Sequence, residues 1–132
     1  LEAGLDAPAL LEVPFIETAV ESVTAFLKRE QRLTALFCSN DLLAIRSLRA
    51  AHRSGLMVPQ DLSVVGFDGI ALGEDLTPAL STVAQPNGEI GRRSVEIVIQ
   101  ALARGVARLD AGVSLLLPHT FRTGESCATT PA

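Results

Sequence analysis

The sequence predicts an α/β fold, a parallel sheet flanked by helices, and three observations carry that prediction. Short apolar runs alternate with longer segments of helical period, which is the pattern βαβ units leave in a sequence. The apolar stock is aliphatic: 48% of the 132 residues are hydrophobic, yet there is no Trp or Tyr and only five Phe. An interior built from Leu, Val, Ile and Ala suits buried parallel strands and the helices that cover them. Finally, Pro14, Asp68-Gly69, Pro86 and Pro118 punctuate the ends of the apolar runs. A chain of this length buries about two-thirds of its unfolded surface, so a single domain needs no disulfide staples.

Six steps follow in order. Residues 9–13 (Ala-Leu-Leu-Glu-Val) are expected to form a short strand stopped by Pro14, and 17–31 a helix with Val20, Val23, Phe26 and Leu27 on one face. Residues 34–38 (Thr-Ala-Leu-Phe-Cys) form a buried strand. Ser39-Asn40-Asp41 then supplies capping chemistry for a helix that ends near Gly55 and carries Leu42, Ile45 and Leu48 at helical spacing. After a turn at Pro59-Gln60-Asp61, residues 62–67 are a third strand, halted by Asp68-Gly69. Residues 70–80 read as a loop with room for one helical turn. Residues 81–85 are a β-branched strand ended by Pro86. A long helix runs from about Gly88 to Ala103 and stops at Gly105, with Ile90, Ile97, Val98, Ala101 and Leu102 as its apolar ridge. Residues 113–117 close the sheet as a strand broken at Pro118, with 119–123 as its continuation, and the Thr/Ser/Ala/Pro tail over 124–132 is expected to fray.

Composition excludes several functions. Eleven basic against fifteen acidic side chains leave a net charge of −4, which repels a phosphate backbone, so this stretch alone is not expected to grip DNA. Arg46, Arg49 and Arg53 line one helix as a solvated or partner-facing stripe. Cys38 and Cys127 show neither disulfide-framework nor metal spacing, which fits a reducing compartment such as the cytoplasm. No apolar stretch approaches the ~20 residues of a membrane span, and no membrane association is expected. Beginning at Leu1 without Met, the sequence reads as a piece of something longer. His52 and His119 have no Ser or Cys arranged beside them for nucleophilic catalysis, and an enzyme using Asp41 or Asp68 lacks partner residues. Neither GxGxxG nor a GKS/GKT run occurs, so no cofactor or metal is expected.

In an open parallel sheet, ligands bind beyond the carboxyl ends of the strands. Phe15 follows the first expected strand, Asn40 and Asp41 the second, and Asp68 the third. One aromatic face, one amide and two carboxylates suit a small polyhydroxylated or nitrogenous ligand. Each also has a purely local reading: Asn40 and Asp41 as helix caps, Asp68 as part of a turn, and Phe15 as core or helix-entry packing.

The runs Thr34–Asp41, Gly55–Asp68, Leu76–Pro86, Gly91-Arg92-Arg93 and Leu117-Pro118 resemble, in order and spacing, the lactose/galactose repressor family of bacterial transcription regulators. The resemblance spans residues 34–123. It implies the carboxyl-terminal part of an effector-binding domain shaped like the periplasmic sugar-binding proteins, in which two α/β lobes close on a small molecule. Residues 1–85 then belong to the carboxyl-terminal lobe, 86–112 to a helix of an absent amino-terminal lobe, and 113–123 to a strand returning to the first lobe. By that likeness Asn40 and Asp68 hydrogen-bond the effector, Phe15 stacks on it, Asp41 lies beside them, and Gln85 faces the cleft. Ile45, Leu48, Arg49 and Leu76 face a partner in a homodimer, and DNA is held only by residues upstream of this chain. Where the family has Ser-Gly and an aromatic after the Phe15 position, this sequence has Ala19-Val20-Glu21. The helix over 88–103 is expected to be displaced, disordered or covered by another molecule. The same fold implies a second reading, the solute-binding component of a sugar transporter.

Overall fold

The structure is a computed structural model that describes residues 8–13, 19–105 and 114–129. Four strands, β1 (Ala35–Phe37), β2 (Ser63–Asp68), β3 (Ser81–Ala84) and β4 (Thr120–Arg122), form one sheet in sequential order. The first three are parallel, with Leu36 opposite Val64 and Asp68 opposite Ala84, and β4 runs antiparallel along β3. Parallel neighbours need crossover connections. Helix α2 (Asp41–Arg53) provides the first; residues 69–80, with one 3-10 turn at Ala71–Gly73, provide the second. Helix α1 (Ala19–Arg29) precedes β1 and packs on α2, and α3 (Asn87–Ala103) follows β3.

The helices form for local reasons. In α1 the buried Val20, Val23, Phe26 and Leu27 make the expected stripe, with Glu21 in the first turn and Lys28 and Arg29 in the last, the arrangement that complements the helix dipole. In α2 the Asn40 side chain caps the first turn and Gly55, at φ +76°, ends the helix in a conformation that glycine adopts without strain. The face that α2 turns inward is made of small residues: Ala44, Ser47, Ala50 and Ala51 are buried, whereas Leu42 is 47% exposed and Ile45 and Leu48 are only half-buried. Small side chains let the helix approach the strands closely and leave its larger apolar residues pointing out. The core joins this face to Val20, Val23, Leu27, Cys38, Leu62, Val64 and Leu80.

Three expectations are corrected. Residues 9–13 form no strand: Leu11 and Val13 pack on the core, but Leu10 is 81% exposed and the backbone joins no ladder. Apolar content placed these residues against the core without a hydrogen-bonding neighbour to make them a strand. The closing strand is 120–122, not 113–117, of which 114–117 are described and belong to no strand. The register explains it. With Ala84 opposite Thr120, two more pairs on would set Pro86 against Pro118, and neither can donate to a ladder. The tail does not fray through 129. Ser126 is fully buried; its hydroxyl donates to the Val64 carbonyl at 2.6 Å and accepts from the Ser81 N–H at 2.8 Å, while its carbonyl accepts from the Val64 N–H at 2.8 Å. The backbone N–H groups of Glu125 and Ser126 reach the Ala79 carbonyl. A short polar segment thus fills the gap where β2 and β3 begin, which no composition rule for tails foresees.

Candidate functional site

The rim at the carboxyl ends of the strands is assembled by hydrogen bonds that run between loops. At the end of β1, the Asn40 carbonyl oxygen Oδ1 accepts from the Leu43 N–H at 2.8 Å, which spends one end of the amide on capping α2. Its Nδ2 has a long contact to Ser39 Oγ at 3.5 Å and keeps donor capacity toward the rim. At the end of β2, Asp68 takes φ +121°, the one positive value outside glycine among the described residues. Such backbone costs of order 1–3 kcal/mol and persists where the surroundings enforce it, as at binding sites. The Asp68 carboxylate accepts from Gln85 Nε2 at 2.8 Å, and the Asp68 carbonyl accepts from the Gln85 N–H at 3.2 Å. The two residues that the resemblance assigned to the cleft from different segments are therefore locked together.

Asp41, expected among the ligand contacts, is placed differently from Asn40 and Asp68. Its carboxylate is fully buried: Oδ2 accepts from the Gly69 and Ile70 N–H groups, both at 2.8 Å, and Oδ1 accepts from the Thr82 hydroxyl at 2.6 Å. It lies at the first turn of α2, where the helix dipole favours a negative charge. Room for it depends on Gly66, because a Cβ there would land on Asp41 Oδ1. Arg122 on β4 completes the clamp on the turn, donating to the Gly69 carbonyl at 3.2 Å and to Glu74 at 2.8 Å. Through these bonds the segment that follows β1 is tied to the turn that follows β2, with Asn40 and Asp68 each one residue from the clamp. Phe15 lies outside the described residues.

Thr82, Gly66 and Arg122 were missed at the level of sequence. Their partners are far along the chain, and a Thr inside a β-branched run looks like ordinary strand. Nearby, burial pushes the Cys38 thiol above its ordinary value; the Ser47 hydroxyl at 3.5 Å opposes this and the Asp41 charge adds to it. A thiol held neutral in this way is a packing group and not a nucleophile.

Two grooves open on the surface, and only the first is lined by a rim residue, Gln85. One, of about 670 Å³, opens between the sheet and α3 and is lined by Gln85, Phe67, Val83, Ile90 and Leu117 among others. No residue of α3 is buried, and Val95, Val98, Ile99 and Leu102 are 52–70% exposed, so the helix is formed but its ridge is uncovered. Of the three expected outcomes, displaced, disordered or covered, disorder is not what is seen: the helix is regular over Asn87–Ala103. The second groove, of about 770 Å³, lies on the outer face of α2. It gathers Ile45, Leu48, Arg49 and Leu76, all four expected dimer residues, with Met57 and Pro78.

Fold and rim together define a class, an α/β ligand-binding lobe whose polar side chains meet where parallel strands end. The chain belongs to the periplasmic binding protein-like domain family, whose model matches residues 2–127. Within it, the chain corresponds to part of an effector-binding domain of the lactose/galactose repressor type. It is 40% identical over 86 residues to the ribose operon repressor of Haemophilus influenzae, an alignment covering 65% of this chain and 26% of that protein. A LacI family transcriptional regulator from Arthrobacter, solved in complex with lactose, superposes with a TM-score of 0.74 at 38% identity, covering 85% of this chain and 42% of that one. The lac repressor dimer bound to operator and an anti-inducer superposes with a TM-score of 0.73 at 28% identity, covering 85% of this chain and 38% of that one. The chain thus spans about a quarter of the curated relative it matches. These relatives are regulators, and the transporter reading finds no support among them.

Proposed function

We propose that this chain is the ligand-sensing and dimerising part of a cytoplasmic transcription regulator of the lactose/galactose repressor type. It contributes one wall of a cleft for a small effector of the sugar, polyol or purine class, and it catalyses no reaction. The observation that carries the reading is the Asp68–Gln85 pair at 2.8 Å, which with Asn40 after β1 makes a carboxylate and two amides beyond the carboxyl ends of the parallel strands. A carboxylate accepts from ligand hydroxyls or ring N–H groups and the amides both donate and accept, which fixes the orientation of a ligand rich in such groups. Phe15 is assigned to cover its apolar face.

The α2 groove is assigned to a second copy of the chain, with Ile45, Leu48, Arg49 and Leu76 at the contact, and α3 to the other lobe. Effector closing the two lobes then shifts the population of dimers competent for DNA, which is held by residues outside this stretch. A thermal-shift screen of sugars, polyols and purines on the full-length regulator tests the reading, since a ligand selective for the folded state raises Tm with its concentration. Asp68→Ala is expected to abolish the shift produced by the best compound while leaving the unliganded Tm within a few degrees. A shift retained in full removes Asp68 from the site.

A further inference from the structure

We infer that Asp41 is a positioning residue for effector recognition: buried out of reach of any ligand, it holds the Asp68–Gly69–Ile70 turn in the one shape that presents the Asp68 carboxylate to the rim. This rests on the effector reading above and adds a determinant of affinity that touches no effector.

The case is built from three features. Asp68 stands in a backbone conformation that a non-glycine residue does not hold unaided, at φ +121°. Something rigid must impose it. The two N–H groups that follow, on Gly69 and Ile70, both end on Asp41 Oδ2 at 2.8 Å, and the other carboxylate oxygen is fixed by the Thr82 hydroxyl at 2.6 Å. Asp41 therefore ties the end of β2 to β3, two residues before the chain reaches Ala84 and Gln85, the partner of Asp68. A single carboxylate can serve three donors at once because it is acceptor-only, with lone pairs on both oxygens. An amide keeps the two turn bonds only by giving its nitrogen to Thr82 and reversing that bond, and it brings no negative charge to the turn N–H groups. Finally, the space is reserved: Asp41 is fully buried, and Gly66 beneath it admits no Cβ.

The test is a double-mutant cycle in the full-length regulator, with D-ribose as the probe in titration calorimetry. Asp41→Asn is expected to weaken ribose binding about tenfold, the scale of misplacing one buried hydrogen-bonded group. In an Asp68→Asn background the same change is expected to cost less than about twofold, because the group Asp41 acts through is already altered. Thr82→Val leaves both turn N–H bonds in place, so it is expected to lower Tm while changing affinity less than about twofold. Equal losses from Asp41→Asn in both backgrounds, or a loss from Thr82→Val as large as that from Asp41→Asn, would show a merely structural role and overturn the inference.

Ile70→Pro provides a second variant if Asp41→Asn fails to fold. Ile70 already sits at φ −69°, which proline shares, so the change removes one turn N–H while keeping that φ. It is expected to weaken ribose binding several-fold, and unchanged binding counts against the inference. A crystal structure of Asp41→Asn or Ile70→Pro decides the matter without a ligand. Asp68 is expected to leave its positive φ, and an unmoved Asp68 overturns the proposal. Failure of the wild-type protein to bind ribose, lactose or hypoxanthine would count against the effector reading alone, with the backbone measurement still deciding the role of Asp41.

Discussion

The two halves of the molecule are built from similar residues and end in opposite states. Around α1, α2, β2 and β3, apolar side chains close on one another and even the polar ones, Asp41, Ser47, Ser81, Thr82 and Ser126, are buried with partners, whereas Phe37 at the end of the edge strand β1 is exposed. Along α3, a helix of 17 residues with an equally regular apolar ridge buries nothing. Amphipathic pattern makes a helix in both places, but only the first has a surface to receive it. The lesson is that an apolar stripe makes a helix without deciding whether anything covers it.

Mutation should read out that contrast directly. Leu62→Ala, at a fully buried position, is expected to cost about 2–5 kcal/mol in chemical denaturation of this chain, whereas Ile99→Ala, at an exposed apolar position of α3, stays within about 0.5 kcal/mol. In the longer protein the Ile99→Ala cost is expected to rise to the scale of a core substitution. Equal costs at the two positions in the short chain would break the contrast. Ser126→Ala is expected to cost about 2 kcal/mol, since it strips an acceptor from the Ser81 N–H and a donor from the Val64 carbonyl, both buried. A neutral result would return residues 124–129 to the status of a loose tail. Asn40→Ala removes the cap on α2 and is expected to cost about 1 kcal/mol. A loss near zero would leave Asn40 to ligand contact alone.

The smallest effect concerns pH. The folded chain holds the Cys38 proton above its ordinary value of 9.0, mainly through burial. As pH climbs through 9.0 the unfolded chain releases that proton first, so folded stability is expected to fall there, and less so in Cys38→Ala. Denaturation midpoints between pH 8 and 10 measure it; identical slopes for the two proteins would place Cys38 in contact with solvent.

Much of this was legible because it depends on neighbours in sequence. The cap at Asn40, the stop at Gly55, the loop with one turn after Asp68 and the long helix before Gly105 all follow from residues within a turn of one another. What escaped depends on partners far along the chain. Asp41 looks like any acidic residue in a first helical turn until Gly69, Ile70 and Thr82 are folded against it. Ser126 sits in a stretch whose composition suggests fraying, and its burial is decided by where β2 and β3 start to separate. Leu10 to Val13 had strand-like composition, yet they form no ladder although the outer edge of β1 is open. The resemblance supplied Gln85, whose bond to Asp68 no local pattern reveals.

The most direct test is a crystal structure of the full-length regulator with the strongest compound from the thermal-shift screen. The ligand is expected between the lobes, with a hydroxyl or ring N–H about 2.6–3.2 Å from the Asp68 carboxylate and the Asn40 and Gln85 amides alongside. Finding it elsewhere, with the Asp68–Gln85 bond untouched and facing solvent, would contradict the assignment of this rim.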